Sequence, residues 1–282
     1  MERTAVHRRG KDSSGVFRFT EQESFKQEEK QKYVSSPTKP ANIMYPRTGG
    51  NLKDMAFIAA VVASQIVGFI IIGLLIRWCF LYKGFSWEDA NLQFNYHPLL
   101  MVLGLIYFYG DALIVYRVMY FLPKWILKII HACLHACAII FSTIALVAVL
   151  ENHRRTYKAD FYSLHSWMGI ATFSCFILQY IGSFVTFMLP WVPNIWRARF
   201  MPFHTFFGLG LFAMAVGTAE MGLTEKLLWT GNYTTNQMVP EGVIGNTIGL
   251  CLVIFAFLII FITTQANYKR QPLPNEIPAP TN

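Results

Sequence analysis

Six long apolar segments, separated by short polar stretches, follow a polar N-terminal region of about 50 residues. Each segment has roughly 20 residues or more with few charges, which is enough for an α-helix to cross the hydrocarbon core of a bilayer. Because a chain in lipid must satisfy its backbone hydrogen bonds internally, the pattern predicts an all-α bundle of six transmembrane helices. The predicted spans are residues 55–76, 96–116, 126–150, 162–189, 201–221 and 243–264.

The polar ends of the chain predict its domain boundaries. Residues 1–50 are rich in charge and proline and have no apolar period, so we expect a disordered basic tail. Residues 51–268 form the predicted transmembrane domain, and residues 269–282 form a C-terminal tail.

The distribution of basic residues predicts the topology. A strongly basic flank before the first span places the N-terminus in the cytoplasm, and six spans return the C-terminus to the same side. The loop from Arg117 to Lys128 then faces the cytoplasm. The sequon Asn232-Tyr233-Thr234 falls on the opposite side, where N-glycosylation takes place.

Composition supports an integral membrane protein whose first partner is the lipid bilayer. Hydrophobic residues make up 54% of the chain and charged residues 14%, whereas soluble domains carry about 25% charged residues. The net charge of +8 comes from the tail and the helix ends, so it does not indicate nucleic acid binding. The five cysteines lie within or beside apolar segments, which favours packing over a disulfide framework.

Four of the apolar segments carry a histidine near their N-terminal end: His97, His131, His165 and His204. Ionisable side chains are rare in lipid-buried helices, so four in matching positions ask for a common role. Since successive spans alternate in direction, His97 and His165 share the outer side, and His131 and His204 share the cytoplasmic side. Each pair can face across the bundle core, which gives two sites on the order of 20 Å apart.

Paired imidazoles favour haem over other ligands. A lone helical histidine is usually a packing residue, but four on alternating sides indicate ligation. Zinc prefers three or four protein ligands, whereas two facing histidines suit the axial positions of a haem that transfers electrons. We therefore expect a four-helix haem-binding core, flanked by the first and sixth helices. His135 lies one turn after His131 on the same face and could replace it as a ligand, although His131 is favoured because it is the one near the helix start.

Several basic residues are expected beside the cytoplasmic histidine pair. They could bind haem propionates and attract a small anionic reductant. They are Arg117, Lys124, Lys128, Arg197 and Lys269.

Two acids within the spans, Asp111 and Glu220, leave a second function class open. A transporter without haem could use the histidines and Asp111 as a proton relay, but this hypothesis does not explain the alternating pairs.

We also expect Phe207 and Trp167 to keep the path between the two sites dry. His153, beside Glu151 in a predicted outer loop, could collect a metal ion.

The motifs FNYHP, ENH, YSLHSW, FMPFH and MGLTEK occur in order, and they make residues 85–270 resemble the cytochrome b-561 family, especially its duodenal cytochrome b-like ferric reductases. The resemblance implies an enzyme with six helices and two b-type haems per chain. Electrons would pass from cytoplasmic ascorbate to ferric iron or monodehydroascorbate on the outer side. It also implies a homodimer. The predicted topology fits the plasma membrane and a secretory or lysosomal vesicle equally.

The resemblance further implies roles for single residues. His97 and His165 would bind the outer haem, and His131, rather than His135, would pair with His204 at the inner haem. The other implied positions are inner-haem contacts at Arg117, Lys124 and Lys269, ascorbate contacts at Lys124, Lys128 and Arg197, outer-haem contacts at Tyr162, Ser163 and Glu225, and an outer ferric site at His153.

Overall fold

The computed structural model describes residues 52–277 except Asn236, so the predicted tail of residues 1–50 lies outside the described part. The described part is helical without strands, and it contains six helical segments long and apolar enough to cross a membrane, which confirms the predicted fold class. Its α-helices are α1 (Leu52–Leu81), α2 (Ala90–Gln93), α3 (Tyr96–Met101), α4 (Tyr109–Val118), α5 (Lys124–Thr156), α6 (Leu164–Met188), α7 (Asn194–Trp229) and α8 (Pro240–Thr264).

The helices pack as three neighbouring pairs. The second span, which contains α3 and α4, packs against α5; α6 packs against α7; and α1 packs against α8. The first two pairs carry the four histidines, while α8 also contacts α4 and α7 from the flank. Small buried residues on α5, including Ala138 and Ala145, allow the second span to approach closely, as is common in membrane bundles.

The second span changes its helical form midway. Between α3 and α4, residues Val102–Phe108 form a π-helix, a widened turn that often occurs at functional sites. Gly104 lies in this stretch against α5. A Cβ added there would come within 2.8 Å of the Ser142 Oγ and 2.9 Å of the Ala138 carbonyl oxygen. The close contact between the two helices therefore requires glycine.

Several helices extend well beyond their predicted spans. Helix α7 starts before the predicted span 201–221 and ends after it, so Pro202 lies inside the helix. Likewise, α5 continues to Thr156, so His153 is helical rather than in a loop. The apolar pattern marks only the lipid-buried part of a helix, and polar turns continue it beyond the hydrocarbon core.

The prediction that Phe207 and Trp167 line the path between the histidine pairs is wrong. Their side chains are 51% and 66% exposed, so they face away from the bundle. The buried aromatic residues include Tyr109, Phe176 and Phe212, whose rings contact one another through Tyr109. A lipid-facing helix is apolar on every side, so its sequence does not reveal its inner face.

Candidate functional site

The structure brings the four histidines together as two facing pairs. The ring centroids of His97 and His165 are 6.0 Å apart, and those of His131 and His204 are also 6.0 Å apart. Two metal–nitrogen bonds of about 2 Å each, together with the two ring radii, span roughly this distance. Each pair is therefore spaced to hold one metal atom between its rings.

Each of these histidines has a hydrogen bond on Nδ1. A carbonyl oxygen only accepts, so where the partner is a carbonyl, Nδ1 carries the proton and Nε2 keeps its lone pair for a metal. Three of the partners are carbonyl oxygens and the fourth is a hydroxyl. The bonds are His97 to Ala145 O (3.2 Å), His131 to Ala112 O (2.8 Å), His165 to Thr218 O (2.9 Å) and His204 to Ser183 Oγ (2.8 Å).

These hydrogen bonds are reciprocal between helices. His97 of the second span is hydrogen-bonded to a carbonyl of α5, and His131 of α5 is hydrogen-bonded to a carbonyl of the second span. The same exchange holds for α6 and α7, where one partner is a hydroxyl rather than a carbonyl. Ala145 lies 14 residues after His131, and Thr218 lies 14 residues after His204, which corresponds to roughly 21 Å along an α-helix. The two pairs thus lie near opposite ends of the bundle.

The donor set fits haem. Among the described residues, no three His, Cys, Asp or Glu side chains cluster as a conventional metal site would require. A cavity of about 750 Å³ adjoins His97 and His165 and is lined largely by apolar side chains. Cofactor pockets have volumes of roughly 300–1,000 Å³. Two oriented imidazoles facing an apolar cavity match a planar cofactor with two axial ligands.

Several predicted outer residues line this same cavity: His153, Tyr162, Ser163 and Glu225. Ser163 also caps α6, since its Oγ accepts the Ser166 N–H at 3.2 Å. His153 Nδ1 lies 3.0 Å from the Asp160 carboxylate, which also borders the cavity. An imidazole and a carboxylate therefore lie side by side at the cavity wall.

Gly222 was missed by the sequence analysis, although it lies in the MGLTEK motif. A Cβ added there would come within 2.7 Å of His165 Cε1, so the imidazole packs directly on the backbone of α7. Only glycine leaves room for this ring position.

A polar network adjoins the cavity and includes the predicted sequon. Glu241 accepts hydrogen bonds from Trp78 Nε1 (2.9 Å), from the Tyr82 hydroxyl and from Asn232 Nδ2 (2.8 Å). Burial, together with the Glu241 carboxylate, raises the pKa of Tyr82. Lys226 Nζ lies 4.4 Å from the centre of the Tyr82 ring, which gives the cavity wall a cation that the sequence analysis did not identify.

At the other end, predicted ascorbate residues gather around the last turn of α6. Lys128 Nζ donates to the Phe187 carbonyl at 3.1 Å, and Arg197 Nη2 donates to the Leu189 carbonyl at 2.7 Å. Lys128 also lies within Coulombic range of Lys124 and Arg197. The three cations therefore share one surface close to His131 and His204.

The other predicted inner-haem contacts have different surroundings. The Arg117 guanidinium donates to the Thr263 and Gln265 carbonyls, where α8 ends. The Lys269 side chain is exposed to solvent. Arg117 therefore stabilises the end of α8 directly.

His135 lies in the core rather than opposite His204. Its ring contacts those of His131 (centroids 4.5 Å apart), Tyr109 (4.9 Å) and Phe176 (5.5 Å). The ring that faces His204 is that of His131. His135 therefore occupies the aromatic layer between the two pairs.

The two acids within the spans have different environments. Asp111 accepts a hydrogen bond from Gln65 Nε2 at 2.8 Å, and Gln65 in turn accepts from the Tyr107 hydroxyl. Glu220 lies against Gly249 of α8, where an added Cβ would be 2.8 Å from its Oε2. Asp111 thus has the polar partner that an acid in a membrane requires.

The sequence profile of the family described as eukaryotic cytochrome b561 matches residues 96–230. The chain is 43% identical over 214 residues to the transmembrane ascorbate-dependent reductase CYB561 of Bos taurus, covering 76% of this chain and 84% of that protein. It is 38% identical over 230 residues to the plasma membrane ascorbate-dependent reductase CYBRD1 of Rattus norvegicus, covering 80% of each.

Proposed function

Because this chain belongs to the eukaryotic cytochrome b561 family, we propose that it is a transmembrane oxidoreductase that moves electrons from cytoplasmic ascorbate to ferric iron or monodehydroascorbate on the opposite side. The two similar proteins named above are ascorbate-dependent reductases. The observation that carries the proposal is the presence of two facing histidine pairs, each 6.0 Å between ring centroids, near opposite ends of one bundle.

The two pairs would each hold one b-type haem: His97 with His165, and His131 with His204. A haem held by two histidines would supply one-electron transfer at each site. The Nδ1 hydrogen bonds hold each ring in one orientation and make Nε2 a stronger ligand. The buried Tyr109, Phe176 and Phe212 exclude water from the core between the pairs.

The donor would bind at the end that carries His131 and His204. Lys124, Lys128 and Arg197 form a cationic surface there, and ascorbate is an anion at neutral pH. Arg117 and Lys269 lie at the same end of the bundle and would add to the positive potential. This charge concentrates an anionic reductant beside the nearer histidine pair.

The acceptor would bind at the cavity next to His97 and His165. His153 and Asp160 offer a nitrogen and an oxygen ligand to ferric iron, while Lys226 attracts an anionic acceptor. Tyr162, Ser163 and Glu225 complete the wall around this histidine pair. With both termini in the cytoplasm, this cavity opens to the extracellular or lumenal side. We further propose a homodimer in the plasma membrane or in a secretory or lysosomal membrane.

Proteoliposomes containing the purified protein test this function. With ascorbate on the Lys124 side and a ferric chelate on the other, wild type should reduce the chelate, and His97→Ala should abolish this while ascorbate still reduces the haem of the second pair. Normal ferric reduction by His97→Ala would contradict the proposed acceptor site. A colourless protein whose transport activity follows pH would instead identify the transporter.

A further inference from the structure

The segment after α8 folds back onto the connection that precedes α5. Arg270 and Glu276 form an ion pair, with Nη1–Oε2 and Nη2–Oε1 distances of 2.8 and 2.9 Å. Arg270 Nη2 also donates to the Leu122 carbonyl at 2.9 Å, and the Arg270 side chain is only 8% exposed. We call residues Lys269–Ile277 the C-terminal clasp. It fixes the end of the described chain to the donor side of the bundle.

Glu276 caps the N-terminus of α5, where no neighbouring side chain does so. The residue at the N-cap of α5 is Pro123, whose side chain accepts no hydrogen bond. Glu276 Oε1 instead accepts the backbone N–H of Lys124 at 2.6 Å, so an acid from the far end of the chain satisfies the first turn. Arg270 and the N–H groups of Leu273 and Lys124 lower the pKa of Glu276 to about 2, so the carboxylate is charged at neutral pH.

The clasp is linked both to the cations and to a histidine of the second pair. The turn capped by Glu276 begins with Lys124, and Lys128 follows one turn later. Arg270 lies within Coulombic range of Tyr116, whose ring packs against the His131 ring with centroids 5.6 Å apart. A change in the clasp therefore reaches the donor surface and the nearby metal ligand.

We propose that the C-terminal clasp positions the ascorbate site: Glu276 holds the first turn of α5 so that Lys124 and Lys128 face the donor, and it neutralises Arg270 beside the Tyr116–His131 contact. Glu276 and Arg270 are positioning residues, since they act through Lys124 and Tyr116. This inference rests on the proposed function, because it assumes that ascorbate binds at these lysines.

Steady-state kinetics on the full chain test the cap. Glu276→Ala removes the acceptor for the Lys124 N–H and should raise the KM for ascorbate about three- to tenfold, the range expected for loss of an N-cap. The kcat should change less than about twofold, because the histidine pairs stay intact. Glu276→Gln keeps an acceptor oxygen and should recover part of the loss. The exposed neighbour Asn275→Ala is the matched control and should behave as wild type.

A charge swap separates the cap from the ion pair. The double variant Arg270→Glu, Glu276→Arg restores opposite charges, but an arginine cannot accept the Lys124 N–H. The KM should therefore stay high, and hydrogen exchange at the first turn of α5 should stay faster than in wild type. Full recovery of the KM by the swap would overturn the role of the cap.

Redox titration gives a readout independent of turnover. In Glu276→Gln, Arg270 loses its counter-charge next to the Tyr116–His131 contact. The added positive charge should stabilise the reduced form of the haem at His131 and His204, so the midpoint potential of that haem should rise. The midpoint potential of the haem at His97 and His165 should not change. Unchanged potentials together with an unchanged KM in Glu276→Gln would refute the clasp proposal.

The variants Lys124→Gln and Lys128→Gln separate this failure from a failure of the donor site. If these variants leave the KM for ascorbate unchanged, the proposed donor site is wrong. If they raise the KM while Glu276→Gln does not, only the clasp proposal fails.

Discussion

The orientation of each histidine ring depends on its Nδ1 partner. For His97, His131 and His165 that partner is a backbone carbonyl of another helix, which no side-chain substitution removes. Only His204 relies on a side chain, the hydroxyl of Ser183. Of the four histidines, His204 is therefore the one whose Nδ1 hydrogen bond can be removed by replacing a side chain.

Replacing Ser183 with alanine should weaken haem binding at the second pair. Loss of such an outer hydrogen bond typically lowers metal affinity about 10- to 100-fold. We expect the haem at His131 and His204 to transfer to apomyoglobin at least about tenfold faster than in wild type. Thr186→Ala is the control, since its hydroxyl donates to the Gly182 carbonyl within α6. Equal rates in both variants would contradict the role of Ser183.

Adding one methyl group at Gly222 should disturb only the first pair. The new Cβ would lie 2.7 Å from His165 Cε1, so the ring must shift from its position opposite His97. We expect Gly222→Ala to lose the haem of this pair and to retain the other, measured as the haem-to-chain ratio. Gly217→Ala on the same helix adds a methyl group with nothing within 4 Å and should keep both. A full haem content in Gly222→Ala would disprove the packing argument.

The sequence predicts the histidine pairs but not their supports. Alternation of the spans is enough to place His97 with His165 and His131 with His204. The acceptors Ala145, Ala112 and Thr218 act through carbonyls that any residue type has, so their identity carries no signal. Phe207 and Trp167 were misplaced because a lipid-exposed helix is apolar on all sides.

The helices themselves were predicted more reliably than their ends. All six spans exist, yet α7 and α5 continue for several residues past their apolar stretches. The sequence does not reveal that the second span contains a π-helix between α3 and α4. The π-helix depends on how the backbone packs against α5. Tertiary contact, rather than local preference, sets the form of that element.

The contact of the π-helix with α5 should be sensitive to one methyl group. In Gly104→Ala the new Cβ would lie 2.9 Å from a backbone carbonyl oxygen of α5, which cannot rotate away. Overpacking of this kind costs about 1–3 kcal/mol, so we expect a lower unfolding temperature in detergent. Gly73→Ala, with nothing within 4 Å of its added Cβ, should be neutral or stabilising. Equal unfolding temperatures for Gly104→Ala and Gly73→Ala would contradict this close contact.

At the scale of the whole molecule, the reciprocal hydrogen bonds couple the two ends. The second span and α5 orient each other's histidines, and so do α6 and α7, so each helix pair contributes to both sites. The two helix pairs meet across the buried Tyr109, whose hydroxyl donates to the Gly208 carbonyl at 2.7 Å. This hydrogen bond joins the two helix pairs in the core between the histidine pairs.

The ratio of haem to chain in the detergent-purified protein tests the central claim most directly. Two facing histidine pairs predict two b-type haems per chain, with separate midpoint potentials and full reduction by ascorbate. His97→Ala should reduce the ratio to one and leave the remaining haem reducible by ascorbate. A colourless preparation, or a wild-type chain that carries a single haem, would contradict the account.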